Sequence, residues 1–414
     1  MNNNKTLFIF GAGSTNALGL PISNVQKEMF NKLDTTNCKY LNIFKEIIKG
    51  IFNNNYDIND IYNYLDMNLM LQNSIEYKKY KIESYELLYC KKELIRETIK
   101  YFINIIKNNK DESLYNQYIN FYYQLAELEL EKKLNTNLEL RDNFISNYSI
   151  INFNWDLYSI APILEAHNKL NYENRFYKSF DNNPKVKILT DFNCESASSN
   201  SIDSKLWYPY TENVASFENK DNHHSNRRVV VTKALYPHGL MNLFKCPRCS
   251  RHSLSLANLD LDSILNSLTK DTIYKCPYCY KNIKLMDVEI LTQSNFKVRN
   301  SYFENLRLRF MNELNLAKNL FILGYSMPND DTDYKVLFKG MYNVDNIYVV
   351  LYDGNGINEF LTYNQLNLSI LSKDNLDTIE RFEDTFNGKN IYYNFFGIPN
   401  AFNSIINKYK TLNK

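Results

Sequence analysis

Short apolar runs that stop at glycine or at a polar cluster recur along this chain, and they restrict its fold more than any other feature. Residues 6–10 run into Gly11-Ala12-Gly13-Ser14, and residues 148–153 into Asn154-Trp155-Asp156. Residues 319–323 end in Gly324-Tyr325-Ser326-Met327-Pro328, and residues 347–351 in Tyr352-Asp353-Gly354. Residues 229–232 and 391–393 are two more strand-like runs. A continuous apolar run of roughly 4–8 residues marks a strand buried on both faces. Helical patterning lies between the runs, at 22–34, 156–167, 300–317 and from about 399. Strands alternating with helices predict an α/β fold in which a parallel sheet is covered on both faces.

Two stretches break the alternation. Residues 39–145 hold almost no Gly or Pro, and their apolar residues recur at three and four, as in Leu87, Leu88, Leu94, Ile95 and Ile99. That spacing predicts four or five helices, hence a large helical insertion. Residues 184–228 are rich in Asn, Ser and Asp and predict an insertion or loop.

Four of the seven cysteines form two pairs, Cys246-Pro-Arg-Cys249 and Cys276-Pro-Tyr-Cys279; Cys38, Cys90 and Cys194 stand alone. An odd count with paired knuckles argues against a disulfide framework and for a metal site in a reducing compartment. Two C-x-x-C knuckles supply four thiolates to one tetrahedral zinc, and a closed four-thiolate site is structural. A small zinc ribbon over 241–284 is therefore expected.

The strand ends carry the remaining candidates, because ligands of open parallel sheets sit outside strand C-termini. Glycines in Gly11-Ala12-Gly13 would let backbone amides approach a phosphate at a helix N-terminus. The set is not a complete G-x-G-x-x-G, since Asn16 holds the last position. Asn154 and Asp156 are placed to hold a small molecule, or simply to cap the next helix. His238, in Tyr-Pro-His-Gly, is the one of five histidines framed by Pro and Gly after a strand. Ser326 and the loop around it could contact a ribose or phosphate, and Asp353 could accept from a ribose diol. The plain alternatives are a helix cap by Asn329 or Asp330 and a turn at Asp353-Gly354.

The charge balance, 48 basic against 46 acidic side chains, excludes the strong field of a dedicated nucleic-acid binder. No apolar run reaches the roughly 18 residues of a membrane helix, and the N-terminus shows no signal-peptide pattern. A cytoplasmic location is expected.

Together these pieces resemble the sirtuin superfamily. Gly11-Ala12-Gly13 through Gly19-Leu20-Pro21 matches that family's first NAD loop in spacing, with Thr15 at its serine position. Asn154 and Asp156 match its Asn and Asp, and His238-Gly239 its catalytic His-Gly, with Cys246 eight positions on. Gly324-Tyr325-Ser326 matches its Gly-Thr-Ser loop. The resemblance implies a Rossmann-like NAD-binding domain over 1–38, 146–240 and 285–414, with the helical insertion (39–145) and the zinc ribbon set into it. It implies catalysis by Asn154, His238 and Asp156. It further implies NAD held by Gly11, Ala12, Gly13, Ser14, Thr15 and Asn16 on one side and Gly324, Tyr325, Ser326 and Asp353 on the other.

The chain departs from the deacylating branch. Ile22-Ser23-Asn24 stands where the family has Asp-Phe-Arg, and its acyl-lysine-binding segment is not recognisable. These departures look like the bacterial antiphage-defence branch, whose members hydrolyse NAD. What that implies is an NAD+ glycohydrolase in a homo-oligomer, beside a HerA-type hexameric ATPase or another defence partner, with no direct sequence-specific nucleic-acid contact and no membrane. An NAD-dependent protein deacylase and a non-catalytic NAD- or ADP-ribose-binding assembly module are the alternatives.

Overall fold

A computed structural model of the chain describes residues 5–20, 26–53, 55–108, 111–133, 144–156, 158, 160–173, 185–193, 195–197, 227–255, 274–276, 278–283, 287–292, 294, 296, 300–354 and 356–413. Cys194, His223, His224 and Ile22-Ser23-Asn24 lie outside them.

Among the described residues the main sheet has eight strands. In spatial order they are Leu361–Thr362, Asn390–Asn394, Asn346–Val350, Ala317–Leu323, Lys5–Phe10, Ile145–Asn152, Arg227–Leu235 and Lys185–Asp191. All neighbours pair in parallel except the short Leu361–Thr362 edge. The expected α/β architecture is therefore the observed one. From the central Lys5–Phe10 strand the chain goes to Ile145–Asn152 on one side. The adjacent Ala317–Leu323 strand leads outward on the other, to Asn346–Val350. The carboxyl ends of these two central strands thus flank a topological switch point, the usual ligand crevice of such sheets.

The pleat divides each apolar run between two cores. Phe8, Phe10, Phe321 and Leu323 face a core shared with the helical insertion, while Leu7, Ile9, Leu320 and Ile322 face a second core. On the first side Phe8 stacks on Phe321 at 5.1 Å between centroids, and Phe121 on Phe402 at 4.3 Å. Phe121 belongs to the helix Glu112–Lys133, so the end of the insertion packs directly on the sheet. The rest of the insertion comprises helices Lys39–Ile51, Ile58–Leu71 and Leu87–Asn108, and a hairpin of Ile75–Tyr77 with Tyr80–Ile82 that helical periodicity does not reveal.

Two expectations need correcting. Residues 185–191 are not loop but the edge strand of the sheet, parallel to Arg227–Leu235. Val186 and Ile188 are buried between less buried neighbours, so this strand alternates instead of running apolar throughout, and the surrounding Asn, Ser and Asp hide it. The glycine loop does not open an α-helix. It passes through two single 3₁₀ turns, Ala12–Ser14 and Asn16–Leu18, and stops at Gly19 with φ +80°. The i→i−3 bonds from Leu18 and Gly19 make these turns too tight to propagate as α-helix.

The helix Ser301–Leu316 is locked to the sheet by one buried acid. Glu313 meets Lys5 Nζ at 3.2 Å and Lys233 Nζ at 3.0 Å, and accepts from Ser149 Oγ at 2.7 Å. Burial alone would raise its carboxyl, but the two ammonium groups and the hydroxyl outweigh burial and hold it at about 2. His167 is the opposite case: burial pushes its imidazole down to about 3, and it stays neutral between Thr190 and Tyr148. In both groups the folded value lies below the ordinary one, so the unfolded chain binds more protons through the interval between them. Stability is therefore complete near neutrality. It falls as the pH drops from about 6.5 through the His167 interval, and falls further below about 4.5 as Glu313 resists protonation. The Glu313 share is on the order of 3 kcal/mol. Thermal unfolding from pH 7 to pH 3 should show both segments. Glu313→Gln should lower the midpoint at neutral pH and flatten the lower segment; an unchanged profile would refute the account.

Among the described residues no helix is long and apolar enough to cross a membrane.

Candidate functional site

The switch-point crevice is where the two glycine loops meet. Gly11 N donates to Leu323 O at 3.0 Å and Gly13 N to Gly324 O at 2.8 Å. The loops touch so closely that side chains are excluded. A Cβ on Gly11 would lie 2.5 Å from Tyr325 Cα, and one on Gly324 would lie 2.2 Å from Ser14 N. Gly324 also has φ +61°, where L-residues are strained. These glycines are thus required by loop-to-loop contact, whatever else they serve.

The same contact uses up amides. Those of Gly11, Gly13, Ser14 and Thr15 all bond to carbonyls of the loop or of its neighbour. Ala12, Gly13 and Asn16 form the exposed rim of this loop, whereas Ser14 and Thr15 are buried. Ser14 Oγ returns to Gly11 O at 2.7 Å. Tyr118, on the inserted helix Glu112–Lys133, donates its hydroxyl to Ser14 O, so the insertion holds the loop from behind.

Asn154 is wired into this loop. Its Nδ2 donates to Gly11 O at 2.9 Å and also lies 3.3 Å from Ser14 Oγ and 3.4 Å from Thr15 Oγ1. Thr15 Oγ1 in turn donates to Asp156 Oδ2 at 3.2 Å. Asn154 and Asp156 are each 7% exposed. A carbonyl such as Gly11 O can only accept, which fixes the amide orientation and leaves Oδ1 as the atom able to meet a ligand. Among the described residues the first α-helix after Asn154 is Ala161–Glu173.

His238 lies at the neighbouring strand end. Met241 N donates to Trp155 O at 2.9 Å, which sets its strand, Gly239–Lys245, against the 154–156 segment. The imidazole packs edge-on to Phe153 at 5.0 Å and to Tyr334 at 5.5 Å. Its Nε2 is 3.0 Å from Asp331 Oδ1. Asp331 is the aspartate that sequence reasoning passed over. It stood among Asp330, Asp331 and Asp333, where a cap on the next helix was the plain alternative. Asp331 does occupy the N-cap position of Thr332–Lys339, yet its side chain makes no capping bond.

The other loop is brought to the crevice less completely. Ser326 is exposed, but Tyr325 is buried, stacked on Phe153 at 4.7 Å. Asp353 Oδ2 accepts from Ser372 N and Asn375 Nδ2, each at 2.9 Å, so it braces the start of the helix Lys373–Thr385.

The cysteines do come together. The Sγ atoms of Cys246, Cys249, Cys276 and Cys279 all lie within 4.8 Å of one another. Two of the separations are 3.9 and 3.7 Å. A tetrahedron with zinc–sulfur bonds of about 2.3 Å has edges of about 3.8 Å, so the set fits zinc. Both knuckles share one backbone device. Cys246 N donates to Arg251 O and Cys276 N to Lys281 O, and Ser250 and Tyr280 take positive φ. His252 stacks on Tyr302 at 4.3 Å and is not part of the set. The strand Gly239–Lys245 starts beside His238 and ends beside Cys246, so one strand links the candidate catalytic and metal residues.

No protein-family model matches the chain, and no curated protein matches it in sequence. Solved structures are matched loosely. One, described as showing the mechanism and regulation of Sir2 enzymes, is 10% identical with a TM-score of 0.36, over 99% of this chain and 94% of that one. A Sir2 homologue–NAD complex is 11% identical with a TM-score of 0.36, over 99% and 90%. A structure concerning sirtuin substrate affinity is 10% identical with a TM-score of 0.30, over 84% and 82%. At such overlaps the chemistry rests on the residues described above.

Proposed function

We propose that this chain is a sirtuin-like NAD+ glycohydrolase, cleaving the nicotinamide–ribose bond to release nicotinamide and ADP-ribose. The observation that carries this is the wiring of Asn154 and Asp156 to the Gly11–Thr15 loop at the switch point, with His238 at the adjoining strand end. Asn154 holds a ribose hydroxyl or the attacking water through Oδ1, since Nδ2 is committed to the loop. The C–N bond breaks with its electron pair leaving on nicotinamide, which already carries positive charge, through an oxocarbenium-like state. Water adds to the ribose carbon, and His238 takes its proton. Asp156 engages the carboxamide, and Ala12, Gly13 and Asn16 offer the exposed rim for the pyrophosphate. Ser326 is the exposed side chain on the opposite loop for the adenosine half.

The biological reading is an NAD-depleting effector of bacterial antiphage defence, acting as a homo-oligomer with a HerA-type ATPase or comparable partner. Zinc would hold the two knuckles together and take no part in the chemistry. Incubation of the purified chain with NAD, with and without its neighbouring gene products and with and without an acetylated peptide, tests the reaction. ADP-ribose formed without peptide is the expected product. O-acetyl-ADP-ribose formed only with peptide would make it a deacylase, and NAD binding without turnover under every condition would make it a binding module.

A further inference from the structure

We propose that Asp331 is the positioning carboxylate of His238, held in place by the hydroxyl of Tyr325. The proposal deepens the hydrolase reading and depends on it for its kinetic half only.

Three observations converge. His238 Nε2 lies 3.0 Å from Asp331 Oδ1, with the two side chains 10% and 1% exposed. Tyr325 Oη donates to Asp331 Oδ2 at 2.8 Å, so each carboxylate oxygen faces a different partner. Asp331 occupies a helix N-cap position without capping, although Asp is a favoured capping residue. Its Oδ1 lies beside the imidazole instead, 3.0 Å from Nε2.

The surroundings make the arrangement rigid. Phe153 stacks on Tyr325 with 13° between the rings, and it meets His238 edge-on. Tyr334 packs on both Phe153 and His238, and its hydroxyl donates to Pro237 O at 3.2 Å. His238 O accepts from Leu291 N at 2.8 Å, which fixes the backbone as well. The imidazole is thus packed against aromatic rings with a buried carboxylate beside one nitrogen. That carboxylate stabilises the positive charge that appears on the ring when His238 takes a proton from water. The aspartate itself need not accept the proton. Nδ1 is the ring nitrogen left to act as base.

Tyr325, just after the strand Ala317–Leu323, spans from its stack on Phe153 to Asp331. The tyrosine connects the loop at one strand end with the histidine at another.

The test uses the full chain labelled with 15N-histidine. His238 ring signals are assigned by their loss in His238→Asn. In Asp331→Asn these signals should move while those of the other four histidines stay in place. kcat for NAD loss should fall on the order of 100-fold, with KM changed less than about threefold, because misplacement acts on the chemical step. Tyr325→Phe should give a smaller loss in the same direction, and serves if Asp331→Asn does not fold. Unmoved ring signals would overturn the proposal. So would a moved ring with kcat retained, since the carboxylate would then be structural. If wild-type chain does not turn over NAD at all, the hydrolase reading fails. The ring signals then decide by themselves whether Asp331 holds His238.

Discussion

His238→Ala should reduce NAD consumption by about 10²- to 10⁴-fold, the usual share of a general base. The side chain is nearly buried, packed on Phe153 and Tyr334 and facing the buried Asp331 carboxylate, so the thermal midpoint should fall as well. Asn154→Ala should also abolish turnover. It deletes the donor to Gly11 O and to the two hydroxyls beside it, so it should lower stability as well, by about 1–3 kcal/mol for the unmet groups. Asn154→Asp is the sharper variant, since a carboxylate keeps the size but cannot donate to Gly11 O. Product quantification beside thermal unfolding separates the two effects. Full activity in both the His238 and Asn154 variants would refute the site.

Zinc removal has the second large effect. Wild-type chain should carry about one zinc, and Cys246→Ser or Cys276→Ser should lose it together with the order of the knuckles. The loss should spread to catalysis although no thiolate touches substrate. Gly239–Lys245 is paired with Asp287–Ile290 and His252–Ser255 and runs from His238 to the first metal cysteine. Loosening its far end loosens the histidine. Cys38→Ala, a change at a buried core thiol away from the cluster, should leave zinc content intact. Elemental analysis with NAD turnover checks both, and a zinc-free variant with full activity would break the link.

The part of the site legible in the sequence is the part encoded over short distances. Glycine after a strand, Asn and Asp at positions 154 and 156, and Pro-His-Gly each announce a strand end by local pattern. Paired C-x-x-C knuckles announce a metal site because two cysteines of one knuckle are near neighbours along the chain. Asp353 shows what such patterns leave open: a strand-end aspartate can also brace a following helix, and Asp353 Oδ2 does so here.

Apolar runs, their glycine stops and the cysteine spacing were enough to determine a parallel α/β sheet bearing a zinc ribbon, because strand burial and knuckle geometry are local properties of a few residues. Tertiary structure decided the rest. Which of three nearby aspartates faces His238, that Asn154 bonds to the loop by its nitrogen, and that Tyr118 of the insertion supports Ser14 all depend on strand order. Residues more than a hundred positions apart become hydrogen-bond partners only once Ala317–Leu323 and Ile145–Asn152 settle on either side of Lys5–Phe10, and no local periodicity records that choice.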